Sequence, residues 1–169
     1  MTRYVGLLRA VNVGGTGKMP MADLRAMCAE VGFTEVATYI ASGNVVFSSA
    51  LAASAVKDVL EARLAVYAGA PVPVMIREAG EMVAILDANP YPAAPGNKAV
   101  VVLLDEAVPV GALADAIHVK GEEMVLGQRE IYVHYVNGQG TSKLRIPAAN
   151  AGTARNMNTV KKLVEMVEA

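Results

Sequence analysis

Across 169 residues the sequence holds one cysteine, two histidines and no tryptophan. A single thiol, Cys28, excludes an intrachain disulfide. His118 and His134 stand far apart and, with one cysteine, give no zinc-type ligand spacing. No acidic cluster points to a carboxylate-bound Mg²⁺, so no metal site is expected, and no motif names a cofactor. Aromatic residues make up 5% of the chain although 54% is hydrophobic, so the core is expected to be built from small and branched side chains. The longest strongly apolar run, residues 99–104, is far too short to span a bilayer. The N-terminus enters a strand-like segment at once, without the apolar stretch and small-residue cleavage site of a secretory signal. These absences predict a cytoplasmic protein with no membrane association.

Acidic residues are missing in two long stretches. Residues 1–22 contain none against Arg3, Arg9 and Lys18, and residues 131–164 contain none against Lys143, Arg145, Arg155, Lys161 and Lys162. Net charge is −1 overall, so no global field draws the chain to nucleic acid or membrane. Local positive charge at both ends is what remains to be explained, either as a binding surface or as an ordinary solvated face.

What is present reads as alternating strands and helices. Residues 3–11 are rich in Tyr, Val and Leu and predict a strand. A glycine-rich loop follows over 12–18, then a helix that Pro20 suits at its first turn and Gly32 ends. Cys28 falls on that helix with Met21, Leu24, Met27 and Val31, as a small buried hydrophobe. Strands are expected at 35–40 and 45–48, joined by Ala41-Ser42-Gly43-Asn44 as a hairpin turn. A helix over 54–68 and a strand over 71–77 complete the order β-α-β-β-α-β, the ferredoxin-like pattern. The two prolines of that last strand, Pro71 and Pro73, favour a sheet edge or a late entry into the sheet.

A short helix over 78–88 leads to a proline-rich stretch, 89–97. Beyond it come a strand at 98–104, a helix at 109–117, strands at 123–126 and 130–135, and a helix over 156–167. The second part thus reads β-α-β-β-α and echoes the first without clear similarity of residues. The prediction is an α+β protein of two similar ferredoxin-like subdomains packed together: 1–88, a connecting loop at 89–97, and 98–169.

Three segments carry candidate chemistry. Asn12-Val13-Gly14-Gly15-Thr16-Gly17-Lys18 could offer backbone N–H groups and the Lys18 ammonium to an anion at a helix start. Its spacing matches neither the P-loop nor G-x-G-x-x-G, and glycine there also serves backbone freedom alone. Ser42 lacks the G-x-S-x-G elbow of a nucleophile and has no histidine paired with it in sequence, which leaves it a turn residue. Thr153-Ala154-Arg155-Asn156-Met157-Asn158-Thr159 leads into the last helix. Thr153 or Asn156 is suited to cap it, and Arg155 to hold a phosphate or carboxylate or to form an internal ion pair.

Taken together these segments resemble a bacterial family called domain of unknown function 1697. The resemblance lies in Leu8-Arg9-Ala10-Val11-Asn12-Val13-Gly14-Gly15, the spacing Lys18, Met21, Leu24, the run Thr38-Tyr39-Ile40-Ala41-Ser42-Gly43-Asn44-Val45-Val46-Phe47, Ser142-Lys143-Leu144, and Thr153-Ala154-Arg155-Asn156-Met157-Asn158-Thr159-Val160. It implies an α+β fold of two similar subdomains and no established reaction, substrate or cofactor. It also implies that Arg9, Asn12, Gly14, Gly15, Lys18, Tyr39, Ser42, Gly43, Asn44, Ser142, Lys143, Thr153, Arg155, Asn156 and Thr159 occupy signature positions. The family commonly has an aromatic after Arg-Asn, where this chain has Met157.

Two function classes follow. The first is an anion-binding protein for a phosphorylated or nucleotide-like small molecule or a nucleic-acid end. Its candidate ligand-binding residues are Arg9, Asn12, Gly14, Gly15, Lys18, Ser42, Asn44, Lys143, Arg155 and Asn156. The second is a protein-interaction or assembly module, in which the same residues are turns, caps and internal hydrogen bonds. No acid–base pair or nucleophile stands out to assign an enzyme, and nothing in the chain sets an oligomeric state.

Overall fold

A computed structural model describes residues 1–13 and 17–169. The chain divides into two compact units, Met1–Val83 with Leu163–Ala169, and Ala84–Lys162.

In the first unit the chain runs β1 (Thr2–Leu8), α1 (Met21–Glu30), β2 (Thr34–Tyr39), β3 (Asn44–Ser49), α2 (Ala53–Ala68) and β4 (Val74–Glu78). The strands form one antiparallel sheet in the order β2-β3-β1-β4, the expected ferredoxin-like arrangement. β4 lies at an edge and enters the sheet only at Val74, after Pro71 and Pro73, so their missing N–H groups cost no ladder bond. Alternation along the strands sorts the side chains. Tyr4, Leu8, Val45, Phe47, Val74 and Ile76 join Leu24, Cys28, Leu60 and Leu64 of the helices in one cluster. Residues of opposite parity, Val5, Leu7, Val46, Met75 and Arg77, are also buried. Burial on both faces explains why β1 and β3 read as continuous apolar runs.

α3 (Ala79–Asp87) follows β4 directly. The second unit then contains β5 (Ala99–Leu103), β6 (Glu123–Leu126), β7 (Glu130–His134) and β8 (Thr153–Asn156), which leads into α4 (Met157–Glu168). Its antiparallel order, β6-β7-β5-β8, repeats that of the first sheet strand for strand. The repeat extends to one residue. Arg77 stands opposite Val5 of β1, and Arg155 stands opposite Val101 of β5. Both are buried, both are the penultimate residue of their strand, and each donates through Nη1 to the preceding carbonyl, Ile76 O at 3.1 Å and Ala154 O at 3.0 Å.

The second unit differs from expectation in two places. The segment 109–117 is a run of turns with bonds from Ala112 to Pro109, Ala114 to Gly111 and Ala116 to Leu113, all of the i to i−3 type. With Pro109 and Gly111 at its start and only Leu113 and small alanines to bury, it gains too little packing to offset helix nucleation. The segment 153–156, read as a helix approach, is instead the edge strand β8. Loops and a 3-10 turn, Pro147–Ala151, cover the sheet where the first unit uses helices, with Leu113, Leu144 and Ala148 packed against Val102, Ile131 and Val133.

Among the described residues no helix is long and apolar enough to cross a membrane.

Candidate functional site

β1 ends at Leu8 because the backbone turns left-handed almost at once. Ala10 has φ 57° and Asn12 φ 52°, a region costing an L-residue roughly 1–2 kcal/mol. The Asn12 side chain holds this shape. Its Nδ2 donates to Met19 O and Ala41 O, each at 2.8 Å, and its Oδ1 accepts from Met19 N–H at 2.8 Å. The Asn12 N–H donates to Gly17 O at 2.9 Å. A Cβ on Gly17 would lie 2.5 Å from Ala10 O, so the crossing needs glycine. Gly14 and Gly15 lie outside the described residues.

Asn12 thereby joins the loop to the turn after β2, which is built in the same way. Asn44 Nδ2 donates to Tyr39 O and to Ser42 Oγ, each at 2.9 Å. Gly43, at φ 91°, accepts from Leu8 N–H at 2.8 Å. Asn12, Ser42, Gly43 and Asn44 form one hydrogen-bonded node.

Beside this node Arg9 and Lys18 line a cleft of about 890 Å³, walled by Val11, Gly17, Tyr67 and the approach to β4 at Pro73. The Arg9 N–H donates to Pro73 O at 2.9 Å, which ties its backbone to that wall. Among the described residues Arg9 and Lys18 are the only charged ones of the lining, and no carboxylate is among them. Lys18 is exposed and, among the described residues, its ammonium has no hydrogen bond or ion pair. Tyr67 donates to Asp23 Oδ2 at 2.8 Å, and that hydrogen bond raises its phenol above the ordinary range.

Lys143 belongs to a different cleft, in the second unit. It lines about 530 Å³ with His118, Lys120, Glu122, Asn137 and Ser142. Glu122 is anchored there: its Oε2 accepts from Lys120 N–H at 2.6 Å and its Oε1 from Ser142 Oγ at 2.8 Å. Those two bonds, the backbone one foremost, hold its carboxyl below the usual range.

Arg155 and Asn156 line neither cleft. Arg155 is buried in β8, where Nη1 also donates to Thr153 Oγ1 at 2.6 Å, and burial lowers its guanidinium to about 10. Asn156 caps α4, with Oδ1 accepting from Thr159 N–H at 3.0 Å. The sequence-derived candidates therefore sort into several places. Arg9 and Lys18 share a cleft, Asn12, Ser42 and Asn44 brace its edge, Lys143 stands in a second cleft, and Arg155 and Asn156 join strand to helix. His118, Lys120 and Glu122 were not singled out as site residues. The charge pattern marked Lys143 and Arg145, but the Glu122–Ser142 bond spans 20 residues and leaves no local spacing to read.

The family model described as "Protein of unknown function (DUF1697)" matches residues 1–132. No curated protein matches the chain. Among solved structures, the conserved bacterial protein SP0830 from Streptococcus pneumoniae is 26% identical, with 98% of each chain covered and a TM-score of 0.82. The family match spans most of the chain, and the chain belongs to the DUF1697 family of proteins of unknown function.

Proposed function

We propose that this protein binds a phosphate-bearing ligand, a nucleotide-like or phosphorylated small molecule or the phosphate of a nucleic-acid end, in the cleft lined by Arg9 and Lys18. One observation carries the reading: among the described residues, two cations and no carboxylate share a concave lining whose backbone is held in left-handed geometry. Strained backbone of this kind persists only where surrounding contacts enforce it, and it concentrates at binding sites. Here Asn12 supplies the enforcement. A guanidinium and an ammonium suit a phosphate differently, the first through paired donors and the second as a point charge.

A thermal-shift screen with nucleotides, sugar phosphates and short oligonucleotides, with and without a 5′-phosphate, identifies the ligand. Calorimetry on Arg9→Ala and Lys18→Ala then tests the site. Each substitution is expected to weaken binding by about 1.5–3 kcal/mol, the worth of a charged hydrogen bond. Unchanged affinity in both variants would reject the cleft, and a screen without any phosphate ligand would reject the reading.

The assembly-module reading is favoured by a separate observation. The amides of Asn12 and Asn44 are engaged within the fold, which gives these signature residues a structural use that needs no ligand. Self-association in sedimentation with no response to phosphates would support it.

A further inference from the structure

We infer that the second unit carries its own site for a condensed phosphate, a diphosphate group, in the cleft of His118, Lys120 and Lys143. Two openings meet there. The first, about 530 Å³, is lined by His118, Lys120, Glu122, Asn137, Ser142 and Lys143 among others. The second, about 500 Å³, shares His118, Ser142 and Lys143 with it and adds Arg145. The two openings share a wall and form one trough, with Lys120 lining the first, Arg145 the second and Lys143 both. A single phosphate would occupy one opening, whereas two linked phosphates suit a pair of adjoining openings that each bring a cation of their own.

The charge arrangement favours an anion. Among the described residues Glu122 is the one carboxylate in either lining, and both its oxygens already accept hydrogen bonds from Lys120 N–H and Ser142 Oγ. Among the described residues the Nζ atoms of Lys120 and Lys143, the Arg145 guanidinium and the His118 ring make no hydrogen bond or ion pair, although Lys120 lies in the field of Glu122. The framework around them is tied down. Arg145 and Ile117 exchange backbone bonds of 3.0 and 2.9 Å, and Ser142 Oγ accepts from Leu144 N–H at 3.2 Å. His118 stands at φ 59°, a left-handed position for a non-glycine residue at the point where the two openings meet. Glu122 thus acts as a brace that sets the distance between the 120 and 142 segments, and the cations are what face a ligand. Residues 137–145 lie beyond the stretch matched by the family model, so the trough is assembled partly from sequence outside that match.

The site is tested on the whole chain, ¹⁵N-labelled and titrated with inorganic pyrophosphate, orthophosphate and sulfate. Saturable shifts are expected in the amides of 117–122 and 137–145, tighter with pyrophosphate than with either single anion. Lys120→Gln with Lys143→Gln should weaken pyrophosphate at these amides at least tenfold. Both lysines are exposed, so the spectrum elsewhere should stay native. Arg9→Gln with Lys18→Gln should leave this titration unchanged, which separates this site from the cleft of the first unit. The inference is overturned if these amides do not shift, if sulfate shifts them as tightly as pyrophosphate, or if the lysine double variant binds as the parent does.

Discussion

Cys28 shows how much a single buried group reveals. It is fully enclosed in α1 beside Leu24 and Met27, and burial pushes its thiol up from 9.0 to about 12. The folded pKa is the higher one, so the contribution to stability is complete below pH 9. Above it the unfolded chain ionises first, and stability is lost until the folded thiol titrates near 12. Between pH 8 and 10 this amounts to about 1.4 kcal/mol, measurable by urea unfolding at the two values. Cys28→Ala should remove most of that difference, and the native thiol should react slowly with a thiol reagent. Arg155 poses a sharper question. By sequence it stands before a helix in an acid-free stretch and is assigned to binding. In the structure it lies buried in β8 with donors on Thr153 Oγ1 and Ala154 O. Removing it leaves a buried acceptor without its donor, so Arg155→Ala should cost about 1–3 kcal/mol in denaturant unfolding while phosphate binding at Arg9 and Lys18 stays intact. Lost binding with unchanged stability would return Arg155 to the site.

At the scale of elements, the turn between β2 and β3 decides whether the Asn12 loop has anything to fasten to. Gly43 has φ 91°, and a Cβ there would lie 2.6 Å from Val11 Cγ2 and 2.9 Å from Leu8 Cβ. Gly69, which ends α2 at φ 70°, has nothing within 4 Å of that position. Gly69→Ala should therefore meet only the backbone cost, roughly 1–2 kcal/mol. Gly43→Ala adds overpacking, about 1–3 kcal/mol more. Thermal unfolding of the pair isolates the clash, and equal losses would show that the turn tolerates a methyl group. The hairpin itself was legible, since Val45, Val46 and Phe47 follow a Gly-Asn pair at a strand start. So was the late start of β4, which enters the sheet at Val74, just after Pro71 and Pro73. The turns at 109–117 were not legible. Their alanines and Leu113 suit a helix, and only packing onto the second sheet shows that one large apolar side chain beside small alanines is insufficient.

Over the whole molecule, two sheets of the same strand order are built on different covers, α1 and α2 on one, turns and loops on the other. The likeness of the halves appears in sequence as an order of strands rather than as matching residues. Its residue-level trace, Arg77 and Arg155 at the same place on an edge strand, is visible only once the register is known. The last residues also belong where no local pattern puts them. Arg3 donates to Val167 O at 3.4 Å and to Met166 O at 3.3 Å, across more than 160 residues, so that Leu163–Ala169 completes the first unit. Sequence alone determined the α+β class, the order of strands, the family and the buried thiol, because periodicity, turn residues and apolar content act over a few neighbours. Tertiary structure decided which cations meet. Arg9 and Lys18 come to one cleft by the crossing of the chain at Asn12 and Gly17, and Lys120 and Lys143 to another by the bond between Glu122 and Ser142. The physical reason is range: a side chain's neighbours in a site are set by strand register and loop closure between distant segments, and these leave no mark on local spacing.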